Sequence, residues 1–146
     1  MAPRRLLTAV TFGILAIIAV SAIAAGVVYW YLNPPVIRDN GIVYTRRHGQ
    51  ELTFNVIQPR NPNGLGVIVI VSGGWKSQKD PVQTWLVAPL LRRGYTLFTV
   101  SHLSQPEATV MEIVEDIHRA VRSIRSRARN YGVDPDRLGV TGGSAG

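Results

Sequence analysis

From Leu6 to Leu32 the chain runs for 27 residues with Thr8, Thr11 and Ser21 as its only polar interruptions and without a single charge. At about 1.5 Å per residue this outlasts a hydrocarbon core of about 30 Å, so the pattern predicts one tilted transmembrane helix over residues 6–32. Residues 1–5 form a basic amino terminus with Arg4 and Arg5. Tyr29, Trp30 and Tyr31 close the run, as an aromatic belt would. A cleaved signal peptide is the rival reading, since Ala22-Ile23-Ala24 offers a small-x-small cleavage site. The length of the run favours an uncleaved signal anchor. The expected localisation is a single-pass membrane protein with its soluble part outside the cytoplasm, or a secreted protein if the segment is cleaved.

Beyond the anchor the periodicity changes. Asn33-Pro34-Pro35 cannot extend a helix well, so residues 33–41 read as a linker. Ile42 to Arg47 and Glu51 to Ile57 are β-rich runs around His48-Gly49-Gln50, the pattern of a hairpin. Val67 to Val71 is five β-branched residues without alternation, which predicts an interior strand buried on both faces. Asp80-Pro81 suggests an N-cap and first-turn proline for a helix towards Arg93, kinked or divided at Pro89 and ended by Gly94. Tyr95 to Val100 is another β-rich run. Thr109 and Glu112 then form a capping-box pair ahead of a helix with Val110, Ile113, Val114, Ile117, Val121, Ile124, Ala128 and Tyr131 on one face, stopped by Gly132. Arg137 to Thr141 is a short strand leading into Gly142-Gly143-Ser144-Ala145-Gly146. A hairpin followed by alternating strands and helices predicts an α/β layered sheet with parallel inner strands over residues 42–146, behind the N-terminal helix.

The 146 residues carry 16 Lys+Arg against 9 Asp+Glu and no cysteine, which allows one small domain and excludes disulfides and cysteine-ligated metal. Fourteen of the sixteen cations are arginines, and five of the seven net positive charges lie beyond residue 33. Arg119, Arg122, Arg125, Arg127 and Arg129 invite a nucleic-acid reading. A solvated helix face behind an export segment explains them better, so no nucleic-acid partner is expected.

The chemistry concentrates at two glycine-rich turns. Gly142-x-Ser144-x-Gly146 after a strand matches a nucleophile elbow, in which the serine hydroxyl stands above the sheet and Gly142, Gly143 and Gly146 give it room. Ser72-Gly73-Gly74-Trp75 follows the earlier apolar strand, where backbone N–H groups can approach a developing oxyanion, with the Ala145 amide as partner donor. With Ser104-Gln105-Pro106 and the segment Tyr131 to Arg137, these residues give the chain a resemblance to the α/β-hydrolase superfamily. Within it the chain resembles hormone-sensitive-lipase-like and feruloyl-esterase-like carboxylesterases. The resemblance spans roughly Ile42 to Gly146 and implies the N-terminal portion of an α/β-hydrolase sheet. It also implies Ser144 as nucleophile, Gly73, Gly74 and Ala145 as oxyanion donors, Trp75 as a pocket wall, and a small-molecule or lipid ester as substrate. No metal or organic cofactor is implied.

Two departures from the family pattern stand out. Ser72 precedes only two glycines where relatives have His-Gly-Gly-Gly, which leaves the first donor uncertain by one position. The acid and histidine of the triad follow the serine in chain order, so both are expected beyond Gly146. The 146 residues are therefore expected to be a truncated chain, inactive by themselves and marginal in solution because the last strand would be an unprotected edge. His48 and His118 read as loop and helix-surface residues. His102 is a candidate pocket residue, and Asp116, Asp134 and Asp136 read as helix-surface and turn residues. Two alternatives remain: a non-catalytic, membrane-tethered fragment, and a short-chain-dehydrogenase-like NAD(P) site at Thr141-Gly142-x-x-x-Gly146. The latter glycine pattern belongs after a first strand, not a late one.

Overall fold

The computed structural model describes residues 2–77, 81–144 and 146, with side chains from Thr8 onward. Helix α1 (Ala2–Leu32) stands clear of the rest for most of its length. Its segment Thr8–Leu32 is long and apolar enough to cross a membrane, with mean hydropathy 2.4. Strands β1 (Val36–Arg47) and β2 (Gln50–Pro59) form the expected hairpin. β1 begins at Val36, so most of the expected linker of residues 33–41 is strand. Asp39-Asn40-Gly41 resembles a turn, but a bulge between Asp39 and Ile42 absorbs it. There Gly41 has φ +73° and its amide donates to Asn55 Oδ1 at 2.8 Å.

Strand β3 (Gly66–Ile70) is followed by a miniature pair, β4 (Ser72–Gly73) and β5 (Lys76–Ser77). Helix α2 (Thr84–Arg92) starts three residues later than the sequence suggests. Gln83, still extended, is its N-cap, while Asp80 lies outside the described residues. Pro89 is accommodated inside the helix without ending it. Strand β6 (Thr96–Val100), helix α3 (Val110–Arg127), a 3-10 turn over Ala128–Tyr131 and strand β7 (Leu138–Gly142) complete the order. The capping box at Thr109 is formed in both directions, and Gly132 stops the helix in the left-handed region.

The five long strands lie in the order β1-β2-β6-β3-β7, antiparallel across β1, β2 and β6 and parallel across β6, β3 and β7. Strand alternation sends Phe54, Val56, Ile68, Ile70, Phe98 and Val100 towards Ala120, Ile124 and Ala128 of α3 and its extension. Ile57 and Leu97 point the other way, against Val87 and Leu91 of α2. Phe98 is the hub, edge-on to both Phe54 and Tyr131 at 6.2 and 5.8 Å between ring centres. Val67 and Val69 were expected to be fully buried but are partly exposed, because α2 covers only part of their face. β7 forms the sheet's edge among the described residues, with Val140 exposed.

The largest departure from the helical periodicity is Asp116. A helix-surface position was expected, yet the residue is fully buried, while Val110 and Val114 lean outwards. Its Oδ1 accepts from Arg47 Nη1 at 2.9 Å, and its Oδ2 from the Leu103 amide at 3.4 Å. Arg47 also reaches Glu112 Oε1 at 3.2 Å. The stripe facing the sheet thus runs through Ile113, Asp116, Ala120 and Ile124, where a carboxylate is tolerated because the hairpin brings an arginine to it.

Two consequences can be measured by urea denaturation of the solubilised protein. Asp116→Ala removes the buried partner of Arg47 and leaves the Leu103 amide without its acceptor, so the urea midpoint is expected to fall. The second concerns acid. The Thr109 backbone and side-chain hydrogen bonds hold the Glu112 carboxyl below its ordinary value of 4.5, with help from His48 and Arg47. The folded state then binds fewer protons than the unfolded one, so this contribution is complete above the unfolded value and is lost as the pH falls through the folded one. Glu112→Gln should therefore flatten the loss of stability below about pH 4.5 relative to the unsubstituted protein.

Candidate functional site

Three parallel strands end at one level, since Ile70 of β3 pairs with Val100 of β6 on one side and Gly142 of β7 on the other. The segments leaving these ends are Ser101-His102, Ser72-Gly73 and Gly143-Ser144. Ligand sites of open α/β sheets gather at such C-terminal edges, with neighbouring strands about 4.8 Å apart. The register therefore brings the two glycine-rich turns side by side.

After β7 the chain turns sharply. Ser144 has φ +58°, a left-handed conformation that is costly for a residue with a Cβ. Gly146 N donates to Gly143 O at 3.0 Å, closing the turn. A Cβ on Gly142 would collide with the Gly146 backbone, and one on Gly146 with the Ile70 carbonyl oxygen. Gly143 faces open space. The outer two glycines are thus demanded by close backbone approach, and the middle one is not. Ala145, expected to offer the second oxyanion amide, lies outside the described residues.

The turn after β3 is a two-residue hairpin with Gly74 and Trp75 at its corner, at φ +58° and +62°. Consecutive positive φ values define the tight turn that matches strand twist, and a non-glycine residue there is strained. The corner is thus Gly74-Trp75, not the Gly73-Gly74 pair suggested by the sequence. Three hydrogen bonds from the loop after β6 hold this hairpin: His102 N to Ser77 Oγ at 2.9 Å, Ser77 N to Ser104 Oγ at 3.0 Å, and Gln105 N to Trp75 O at 3.1 Å. The Ser104-Gln105-Pro106 loop is among the segments that carry the family resemblance, but the roles of Ser77 and Ser104 in holding the hairpin carry no periodic signal in the sequence.

A cleft of about 670 Å³ opens beside these turns, with Ile70, Ser72, Gly142 and Gly143 on the sheet side and Val82 and Leu86 on the α2 side. Gly73, Gly74, Trp75, Ser144 and His102 are not in its wall. Trp75 is half exposed beside the hairpin. His102, a candidate for the pocket, is 2% exposed and turned inwards, with Nδ1 donating to the Leu103 carbonyl and Nε2 unpartnered among the described residues. His48 lies 3.6 Å from Glu112 in the hairpin loop, and His118 is exposed on α3. Among the described residues no cluster of His, Cys, Asp and Glu could hold a metal ion.

The model of the BD-FAE family matches residues 56–146. Esterase LipQ of Mycobacterium tuberculosis is 30% identical over 81 residues, covering 55% of this chain and 19% of that protein. A probable isoprenylcysteine alpha-carbonyl methylesterase of Oryza sativa subsp. japonica is 25% identical over 122 residues, covering 82% and 28%. Among solved structures, the Pyrobaculum calidifontis esterase superposes with a TM-score of 0.63 at 22% identity, covering 84% of this chain and 41% of its own. Thermogutta terrifontis esterase Est2 gives 0.61 at 22%, covering 80% and 42%. The chain thus spans less than half the length of these relatives.

Backbone strain at Ser144 has a direct test. Ser144→Gly removes the left-handed penalty and Ser144→Ala keeps it, so the glycine variant should be more stable by about 1 kcal/mol in urea titrations.

Proposed function

The chain belongs to the BD-FAE family of hormone-sensitive-lipase-like α/β-hydrolases, and from that premise we propose that it takes part in hydrolysis of carboxylic esters through an acyl-serine intermediate. The observation that carries this reading is the Ser144 turn: a serine at φ +58° at the C-terminal end of β7, between two glycines with no room for a Cβ. Strain of this kind persists where the surroundings enforce it, and a nucleophile elbow gives the hydroxyl the exposure that attack requires.

Ser144 Oγ would attack the ester carbonyl while a general base takes its proton. The tetrahedral oxyanion would be held by backbone N–H groups of the turn after β3, at Gly73 or Gly74, and by that of Ala145. Collapse of the intermediate would break the bond to the alcohol oxygen, which leaves with the proton. Water would then cleave the acyl-serine by the same route in reverse. In this class of hydrolase the base and its carboxylate partner follow the serine in chain order. The parallel register of β3 and β7 supports the pairing of donors and nucleophile, since it sets the two turns on adjacent strand ends. Helix α1 would tether this machinery to a membrane, with the hydrolase part on the extracytoplasmic side.

A fluorophosphonate probe tests the reading on the protein as its own cells produce it. Covalent labelling mapped to Ser144, lost in Ser144→Ala together with at least about 10⁴-fold of ester-cleaving activity, is the expected result. Labelling elsewhere, or none at neutral pH, would sink it.

A further inference from the structure

Helix α2 is held at both ends. At its start, Arg38 Nη2 donates to Val82 O at 3.2 Å and to Thr84 Oγ1 at 2.7 Å. At its end, the Arg92 guanidinium stacks over the Trp30 ring, 3.9 Å from its centre, and donates to the Tyr31 carbonyl at 3.1 Å and to the Trp30 carbonyl. Only residues 33–35 separate α1 from β1. The orientation of α2 relative to the last turn of α1 is therefore fixed by contacts, not by a flexible tether.

Trp85, Pro89 and Arg92 stand at helical spacings i, i+4 and i+7, so they share the face of α2 that meets α1. On that face Trp85 is 53% exposed and Pro89 is exposed, while the neighbouring Leu86 is 59% exposed. Trp85 lies only about 10 Å along the helix axis from Arg92. Arg60 and Arg92 line a shallow hollow beside Pro34 and Pro35, and Arg93 is exposed next to them. Apolar and aromatic groups with a rim of arginines match the composition of helices that lie in the interface of an anionic bilayer.

We infer that α2 is a membrane-docking surface: its Trp85–Pro89 ridge sits among the head groups of an anionic bilayer, with Arg60 and Arg93 facing lipid phosphates. The inference rests on the reading that α1 spans the membrane, because Arg92 ties α2 to the aromatic end of that helix. Leu86 also belongs to the wall of the cleft beside the elbow. Docking therefore places that wall next to the bilayer and favours apolar esters drawn from lipid.

The experiment uses the full chain in phosphatidylcholine–phosphatidylglycerol vesicles whose acyl chains are brominated close to the carbonyls. Trp30→Phe with Trp75→Phe leaves Trp85 as the sole reporter, and Trp75→Phe with Trp85→Phe leaves Trp30. The expected result is that Trp85 loses most of its emission to the brominated lipid, resists aqueous iodide, and loses less in pure phosphatidylcholine. Quenching of Trp85 by iodide alone places it in water, and resistance to both quenchers means that protein covers it. Either outcome overturns docking while bromine quenching of Trp30 leaves the spanning reading standing. If Trp30 also escapes the brominated lipid, both fall.

Discussion

One buried carboxylate ties the layers of this domain together. Asp116 of α3 binds Arg47 at the end of the first hairpin and the amide of Leu103 in the loop after β6. That single group connects the antiparallel edge of the sheet, the helix covering it and the loop at its C-terminal rim. Burying a carboxylate is unfavourable unless charge and hydrogen bonds compensate, so the three elements must be mutually placed before Asp116 can be accommodated. The same loop then carries the fix outwards, through His102, Ser104 and Gln105, to the β4–β5 hairpin. Tyr44 joins from β1 by donating to the Ser101 carbonyl at 2.6 Å, and its phenol is pushed well above its ordinary value by burial and by the nearby Asp116 charge.

Much of this was legible in the sequence where periodicity or local chemistry is strong. The hairpin, the β-branched strand, the capping box at Thr109 and the stop at Gly132 each leave a local mark that tertiary packing does not override. The start of α2 and the reach of β1 were less legible. A bulge at Gly41 lets a turn-like tripeptide continue a strand, and Gln83 starts a helix without a side-chain cap. Asp116 sits in the phase of the apolar stripe, between Ile113 and Ala120, but its partner comes from a hairpin 69 residues away. No window of local sequence contains that pair.

The elbow illustrates the same division. Its glycine spacing is visible in five letters, but the reason for it is not. Gly146 is required by the carbonyl of Ile70 on the neighbouring strand and Gly142 by the returning Gly146 backbone, whereas Gly143 has space around it. The loop after β6 is the converse case. His102 follows a strand end and so invites a role in the cleft, yet the ring turns inwards and only its backbone serves the neighbouring hairpin. Position relative to the sheet could be read from the chain. Side-chain direction was decided by the packing of the loop onto α3.

The pairing of β7 with β3 bears on how the domain assembles. Gly66 meets Leu138, 72 positions further on, and β6 occupies the other side of β3. The β1–β2 hairpin and α3 can organise from near neighbours, whereas β7 must find its edge across a long loop and form its ladder against the entropy of closing that loop. The strained turn follows β7 directly. In a chain emerging from the ribosome, Ser144 therefore acquires its shape only after the strands that precede it have been laid down, and the polypeptide holds no poised nucleophile until β7 has paired with β3.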